Sequence, residues 1–214
     1  MLFEITVAVS ADDCIVNFSG ERDHSHIYGS VLSETLINFG WQNRESYAMR
    51  EEIDDFFFVP FKQDFLPDWY DYSETAERVI SAVKEWAKFH IHIGVNNLII
   101  DGGKGHIILN CTNVVINGGS VDYIGGFTHL LGIGGDAHIH RIADDVVVKM
   151  ISDSALVSGY VGDFAKIEYV TDNAQISELR NEALIKELMD NAKVYRVIDK
   201  ATIHHISNNA AVGV

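Results

Sequence analysis

Residues 172–207 read DNAQISELR, NEALIKELM, DNAKVYRVI and DKATIHHIS, four nine-residue units with one shared pattern. Each unit has Asp or Asn first, Ala third, Ile or Val fifth, and Leu, Ile or Val eighth. Extended to both sides, the pattern gives nine copies between residues 135 and 214, with Ala third in all but the second copy, where Val146 stands. The first position is Asp or Asn in every copy except the first, which has Gly135. Self-similarity at a short fixed period is typical of stacked repeat proteins.

The pattern predicts one short strand per copy. The third and fifth residues are apolar with a polar or variable residue between them, which is strand alternation. Asp or Asn followed by a polar residue is typical of a tight turn, in which the side chain can bond its own backbone. One such strand cannot bury its apolar row alone, but coils stacked about 4.8 Å apart can. We therefore predict a mainly β protein with a C-terminal β-solenoid, and the period leaves two-sided and three-sided coils open.

A helix is the alternative for residues 177–193, where Ala, Ile and Leu also fall on one helical face. Two features favour strands. A helix does not restart with Asp or Asn every nine residues, and β-branched Ile or Val fills the fifth position of every copy.

A looser repeat precedes the nonapeptides. Residues 96–103 (NNLIIDGG), 112–119 (TNVVINGG) and 128–135 (THLLGIGG) resemble one another at a displacement of 16 residues. Their paired glycines supply the positive-φ corners that a coiled strand needs. The predicted solenoid therefore covers residues 91–214 and leaves residues 1–90 for a small α+β domain.

The N-terminal domain is predicted from weaker signals. Residues 3–9 and 14–18 alternate like strands around a polar turn at 10–13, and residues 27–39 are predicted to form a short helix. Residues 73–90 form the strongest helical pattern, with Ser73 or Asp71 as its cap and an apolar face that includes Val79 and Val83. We expect this face to close the open end of the first solenoid coil, as terminal units of repeat proteins do.

Charge is distributed unevenly along the chain, whose formal net charge is −15. Residues 1–90 carry 17 acidic and 7 basic side chains, whereas residues 91–214 carry 14 and 9. Such a surface repels nucleic acid and membranes and attracts basic partners. The two cysteines, Cys14 and Cys111, form no metal or disulfide pattern, and the N-terminus lacks a basic signal region. We therefore expect a cytoplasmic protein without a cofactor.

An acidic and aromatic segment at residues 51–74 is the predicted contact surface. It holds both prolines and a single basic residue, Lys62, so it is irregular. One interpretation is a loop whose aromatic rings pack under the N-terminal domain. The other is a binding surface for a basic protein, since aromatic anchors ringed by charge suit such contacts. The candidate binding residues are Glu51, Glu52, Asp54, Asp55, Phe57, Phe61, Asp64, Trp69, Tyr70 and Asp71.

Three His-x-His pairs, at 24/26, 90/92 and 138/140, are the candidates for metal binding. His138 and His140 flank the inward Ile139 and should face solvent, with Asp144 and Asp145 as further candidate ligands on the next rung. No third ligand is fixed by spacing. The corner Asp and Asn residues lack the glycine spacing of calcium-binding nonapeptides, so turn formation explains them better.

The corner-to-core pattern resembles short-repeat β-solenoids of bacterial and phage type and is distantly similar to pentapeptide-repeat proteins. The resemblance covers residues 136–214 well and 96–135 weakly, and it concerns architecture. Some pentapeptide-repeat solenoids mimic duplex nucleic acid, which implies an inhibitor of a basic, nucleic-acid-binding host system. The period and the nearly balanced solenoid charge depart from that family, so mimicry would depend on residues 1–90. The alternatives are a structural module that forms homo-oligomers through its C-terminal edge and a β-helix carbohydrate-active or acyl-transfer enzyme.

Overall fold

A computed structural model describes residues 2–17, 31–38, 56–60 and 66–213. Contacts divide the chain into two compact units, Met1–Phe89 and His90–Val214.

The first unit contains an antiparallel sheet of four described strands: β1 (Leu2–Val9), β2 (Cys14–Asn17), β3 (Val31–Asn38) and β4 (Phe56–Pro60). Their order in the sheet is β2-β1-β3-β4. The strands predicted at 3–9 and 14–18 correspond to β1 and β2. The helix predicted at 27–39 is wrong for the described residues 31–38, which form β3. The reason is long-range pairing, because β3 pairs with β1 along its whole length, from Leu2 opposite Asn38 to Val9 opposite Val31.

Helix α1 (Tyr72–His90) follows the sheet and confirms the strongest helical pattern of the sequence. Asp71 caps it, since the Glu74 backbone N–H donates a 2.9 Å hydrogen bond to Asp71 Oδ1. The buried residues of α1 share one face at helical spacing: Thr75, Val79, Val83 and Ala87. Within the same unit, Arg78 Nη2 donates to the Ser10 carbonyl at 3.0 Å, which ties α1 to the β1–β2 turn. That α1 closes the end of the solenoid stays a prediction.

The second unit is a parallel β-solenoid of about seven coils. Its strands alternate between two sheets, so each coil has two sides. One sheet has eight strands: β5 (Ile91–Ile93), β7 (His106–Leu109), β9 (Ser120–Gly125), β11 (His138–Ile142), β13 (Leu156–Val161), β15 (Gln175–Leu179), β17 (Lys193–Val197) and β19 (Ala211–Val212). The other has seven: β6 (Ile99–Asp101), β8 (Val114–Gly118), β10 (His129–Ile133), β12 (Val147–Ile151), β14 (Lys166–Val170), β16 (Leu184–Leu188) and β18 (Thr202–Ile206).

The solenoid core consists of the third, fifth and eighth residues of the repeat. Ala174, Ile176 and Leu179 in one copy are fully buried, and the corresponding residues form one continuous cluster through the described coils. In-register pairing places equivalent repeat positions of neighbouring coils opposite each other, as with Ile139 and Val157. The helical alternative for 177–193 is excluded, because this stretch includes parts of β15 and β17, which belong to one sheet, and the whole of β16, which belongs to the other.

The corners of the solenoid form a ladder of hydrogen bonds between coils. Asp or Asn at the first repeat position has φ between 54° and 61° in all eight copies that carry it, a conformation that these two residues tolerate better than most. The side chain of one corner accepts a hydrogen bond from the backbone N–H of the corner one coil earlier. The Asp144 N–H donates to Asp163 Oδ2 at 3.3 Å, and the Asp153 N–H donates to Asp172 Oδ2 at 3.2 Å. These side chains therefore join neighbouring coils, in addition to the turn formation that the sequence predicts.

The upstream repeat builds shorter coils. Its displacement of 16 residues appears directly in the register, with Asn96 bridged to Thr112 and Ile99 opposite Val115. The second glycine of each pair has positive φ, +86° at Gly103 and +81° at Gly119, which confirms the predicted corners.

Candidate functional site

The predicted contact surface at residues 51–74 is described only in part. Six of its candidate residues lie outside the described residues: Glu51, Glu52, Asp54, Asp55, Phe61 and Asp64. Phe57 lies in β4, and the rings of Trp69 and Tyr70 are adjacent, with centroids 6.4 Å apart. Asp71 caps α1, so its predicted binding role competes with a structural one.

The outward face of the eight-stranded sheet carries a cluster that the sequence did not indicate. We call Arg141, Tyr160, Glu178, Arg180 and Arg196 the arginine–tyrosine column. The Arg180 guanidinium lies 3.3 Å from the centre of the Tyr160 ring, and that of Arg141 lies 5.9 Å from it. Glu178 forms ion pairs with Arg196 at 3.1 Å and with Arg180 at 3.6 Å. The column brings three guanidinium groups together on a chain of strongly negative charge.

Asp122 in β9 extends this column. Burial raises the pKa of the Asp122 carboxyl to about 6, although the Arg141 charge lowers it. Its Oδ2 and the Nε of Arg180 are the two buried side-chain polar atoms without a hydrogen-bond partner among the described residues. Perturbed and unsatisfied polar groups are more frequent at functional sites than elsewhere. With guanidinium groups and a tyrosine ring, this surface is chemically suited to contacts with carboxylates or aromatic side chains.

Asp122→Asn is expected to stabilise the protein at pH 7.5 and to have little effect at pH 4. The folded-state pKa of the carboxyl is raised, so the folded protein retains a proton that the unfolded chain loses. The wild type therefore loses stability as the pH rises from about 4 to about 6, and the variant lacks this loss. Urea denaturation midpoints at the two pH values measure the difference. A variant whose midpoint differs from that of the wild type by the same amount at both pH values would contradict the burial of this charge.

His138 and His140 lie exposed on β11, on either side of the buried Ile139. Asp144, a suggested further ligand, is engaged elsewhere, since its Oδ2 accepts hydrogen bonds from the Tyr123 hydroxyl and the Gly126 N–H, both at 2.8 Å. Across residues 2–17, 31–38, 56–60 and 66–213, no group of three or more His, Cys, Asp or Glu side chains is arranged to hold a metal ion. The pair at 24/26 lies outside the described residues.

The pair at 90/92 belongs to a larger cluster, which we call the histidine cluster: His90, His92 and His106. Ile91 lies opposite Ile107 in the sheet, which places His106 beside His90 and His92. The His90 and His106 rings stack with centroids 5.4 Å apart, and His92 Nε2 lies 3.2 Å from His106 Nδ1. The sequence contains a signal for this cluster, because His90 and His106 are separated by the same 16 residues as the upstream repeat.

A surface pocket of about 280 Å³ lies along the corner ladder and is lined by Asp163, Phe164, Asn181, Glu182, Asp199 and Lys200. Its polar groups bind one another, with Asn181 Nδ2 2.8 Å from Asp163 Oδ1 and Lys200 Nζ 3.4 Å from Glu182 Oε1. These pairs give the polar side chains of the pocket a structural role.

None of the helices in the described part of the chain is long and apolar enough to cross a membrane. Comparisons of the chain with models of protein families, with curated proteins and with solved structures find no match.

Proposed function

We propose that the protein is a non-enzymatic protein-binding module whose acidic N-terminal region contacts a basic protein partner. The observation that supports this most is the division of charge, −10 over residues 1–90 against −5 over residues 91–214. In the solenoid, much of the acidic charge lies at corners, where carboxylates such as those of Asp163 and Asp172 accept bonds from the neighbouring coil. These carboxylates already have a structural role.

The solenoid has the features of a scaffold. Its fold fits a structural or binding module, and its constant residues are those of core and corner. The outward residues differ from copy to copy, as Lys149, Glu168, Lys186 and His204 show at the sixth repeat position. A continuous core through neighbouring coils gives a rigid support from which a less regular segment can be presented.

The most specific form of the proposal is an inhibitor of phage type that acts in the bacterial cytoplasm. An acidic surface would occupy the nucleic-acid-binding site of a basic host protein, as in the duplex mimicry of some pentapeptide-repeat solenoids. The charge of residues 1–90 supports this form, because binding sites for phosphate backbones are rich in Lys and Arg.

Affinity capture from a host lysate, followed by mass spectrometry, tests the proposal. We expect a basic partner whose binding weakens at least about tenfold between 0.15 M and 0.5 M salt, since exposed charges are screened over shorter distances at higher salt. Neutralising Glu51, Glu52, Asp54 and Asp55 together should weaken it by a similar factor.

The matched control neutralises the same number of acidic residues on the solenoid: Asp136, Asp145, Glu168 and Glu187. This variant has the same net charge as the N-terminal one, so equal weakening by both would show a general effect of charge. Capture that is indifferent to 0.5 M salt would count against the proposal.

A structural, oligomer-forming role is the second proposal. In the last described coil, side chains of the inward row are partly exposed, 36% at Val197, 48% at Ile206 and 40% at Val212. A second copy of the chain could cover this apolar row by pairing through the same edge. Light scattering that shows only a monomer at high protein concentration would exclude this role.

A further inference from the structure

We propose that the histidine cluster is an acid-sensitive latch that holds the first coil of the solenoid closed at neutral pH and releases it on acidification. The cluster lies where α1 ends and β5 and β7 begin. This role is separate from partner binding and does not depend on it.

The hydrogen bonds of the cluster define the state at neutral pH. His106 Nε2 lies 3.1 Å from the Gly102 carbonyl oxygen. A carbonyl only accepts, so Nε2 carries the proton, and Nδ1 of the neutral ring has a free lone pair. His92 Nε2, 3.2 Å away, can donate to this lone pair. The chain of donors runs from His92 through His106 to Gly102, and both rings are neutral.

The same geometry cannot accept two protons. One added proton can be shared between His92 Nε2 and His106 Nδ1, but a second places two N–H groups and two positive charges 3.2 Å apart. His90 adds to the conflict because its ring stacks on His106. Burial lowers the pKa of His92 to about 4, with further lowering by His106 and His90. Burial also lowers the pKa of His106, against the effect of the Gly102 bond, and His90 lowers it further.

Among the described neighbours of His92 and His106, Cys111 is neutral and Asp101 is already bonded. The Cys111 thiol donates to the His92 carbonyl oxygen at 3.4 Å, and burial raises its pKa, so it stays neutral. At the end of β6, Asp101 accepts a hydrogen bond from Asn117 Nδ2 at 2.7 Å, and Lys104, on the loop between β6 and β7, is exposed.

The pH dependence follows from these lowered pKa values. In the unfolded chain the histidines take up protons near pH 6.5, whereas burial in the folded cluster lowers the pKa of His92 to about 4 and also lowers the pKa of His106. The unfolded or opened state therefore binds more protons in this range, and the stability of the first coil falls as the pH falls through it.

Because the histidine cluster lies at the end of the sheet, we expect the acid-induced opening to stay local. β5 has three residues and lies at the end of its sheet, where its one strand partner is β7. Short terminal strands open at lower free energy than central ones. The latch would therefore release β5 while the central coils stay paired.

Hydrogen exchange of the full chain at pH 7 and pH 4 tests the latch. After correction for intrinsic exchange, protection of amides in β5 and β7 should fall about tenfold or more. Protection in β15, which lies far along the sheet, should change much less. In His92→Gln the side-chain amide can still donate to His106 Nδ1 but does not titrate, so this variant should lose less protection between pH 7 and pH 4 than the wild type.

The control is His138→Gln with His140→Gln, which removes an exposed pair of the same spacing and should leave the pH dependence unchanged. NMR titration of the imidazoles in the wild type gives a second measure that does not depend on any variant folding. His92 should titrate near pH 4. Equal loss of protection in His92→Gln and wild type, or titration of His92 near pH 6.5, would overturn the latch.

Discussion

Replacing Ile151 with Ala is expected to lower the free energy of unfolding by about 2–5 kcal/mol. Ile151 is fully buried in β12, between Ile133 of β10 and Val170 of β14 in the same column of the core. Removal of three carbon atoms leaves a cavity, because the neighbouring coils are held at their spacing by backbone hydrogen bonds and cannot collapse into it. Urea denaturation followed by circular dichroism measures the loss.

Ile206 provides the matched control, since the column continues from Val170 through Leu188 to Ile206. Its side chain is 48% exposed. Ile206→Ala removes the same atoms at the same repeat position but leaves little cavity, so a loss of about 1 kcal/mol is expected. Equal losses at the two positions would contradict the described core.

Replacing Gly135 with Ala should also destabilise the solenoid strongly. Gly135 is the one first-position residue of the nonapeptides that is not Asp or Asn, and it has φ +60° like the others. A Cβ atom there would lie 1.9 Å from the Asn117 carbonyl oxygen, a backbone atom of the preceding coil. The cost combines about 1–2 kcal/mol for positive φ with about 1–3 kcal/mol for the forced shift of the backbone. Thermal and urea denaturation give the size of the loss.

The variant Gly94→Ala separates the conformational cost of positive φ from the cost of the backbone shift. Gly94 has φ +67°, and a Cβ atom there would meet nothing within 4 Å, so Gly94→Ala should show the conformational cost alone. Gly135→Asp is a further test, because it makes the first copy match the consensus of the repeat. We expect this change to destabilise as well, and a consensus variant as stable as the wild type would contradict the close approach to Asn117.

The exception at Gly135 shows what a repeat pattern conveys and what it leaves out. Asp153 and Asp172 stand at corners 18 and 19 residues after the preceding one, and each accepts a hydrogen bond from the backbone N–H of that corner. Gly135 also lies 18 residues after Asn117, but a Cβ atom there would lie 1.9 Å from the Asn117 carbonyl oxygen. The pattern marks position 135 as a corner, and the close approach of the Asn117 backbone explains why glycine stands there.

The N-terminal unit shows the opposite case. The sequence of residues 31–38 predicts part of a helix, but the partner strand decides the structure. Each residue of β3 lies opposite a residue of β1, which comes earlier in the chain. A single stretch does not contain its partner, and strand preference depends on the neighbours more than helix preference does. Helix α1 was predictable, since its cap and its apolar face are contained in its own residues.

Candidate sites were likewise predictable only where their residues lie close together in the sequence. His138 and His140 were visible as a pair because they lie two residues apart, and the structure leaves them exposed on one strand. His106 joins His90 and His92 only through the pairing of β5 with β7. The arginine–tyrosine column collects one residue from each of several successive coils, together with Arg180 at a corner, and no local window contains such a set.

The sequence by itself determined the solenoid, its inward rows and its corners, because each of these features is local and is repeated in nine copies. Tertiary structure decided that the coils have two sides, that corner carboxylates bond the preceding coil, and that the histidines meet in one cluster. The physical reason is that apolar periodicity fixes which side chains turn inward, whereas coil closure and contacts between coils depend on backbone corners and on residues 16–19 positions away.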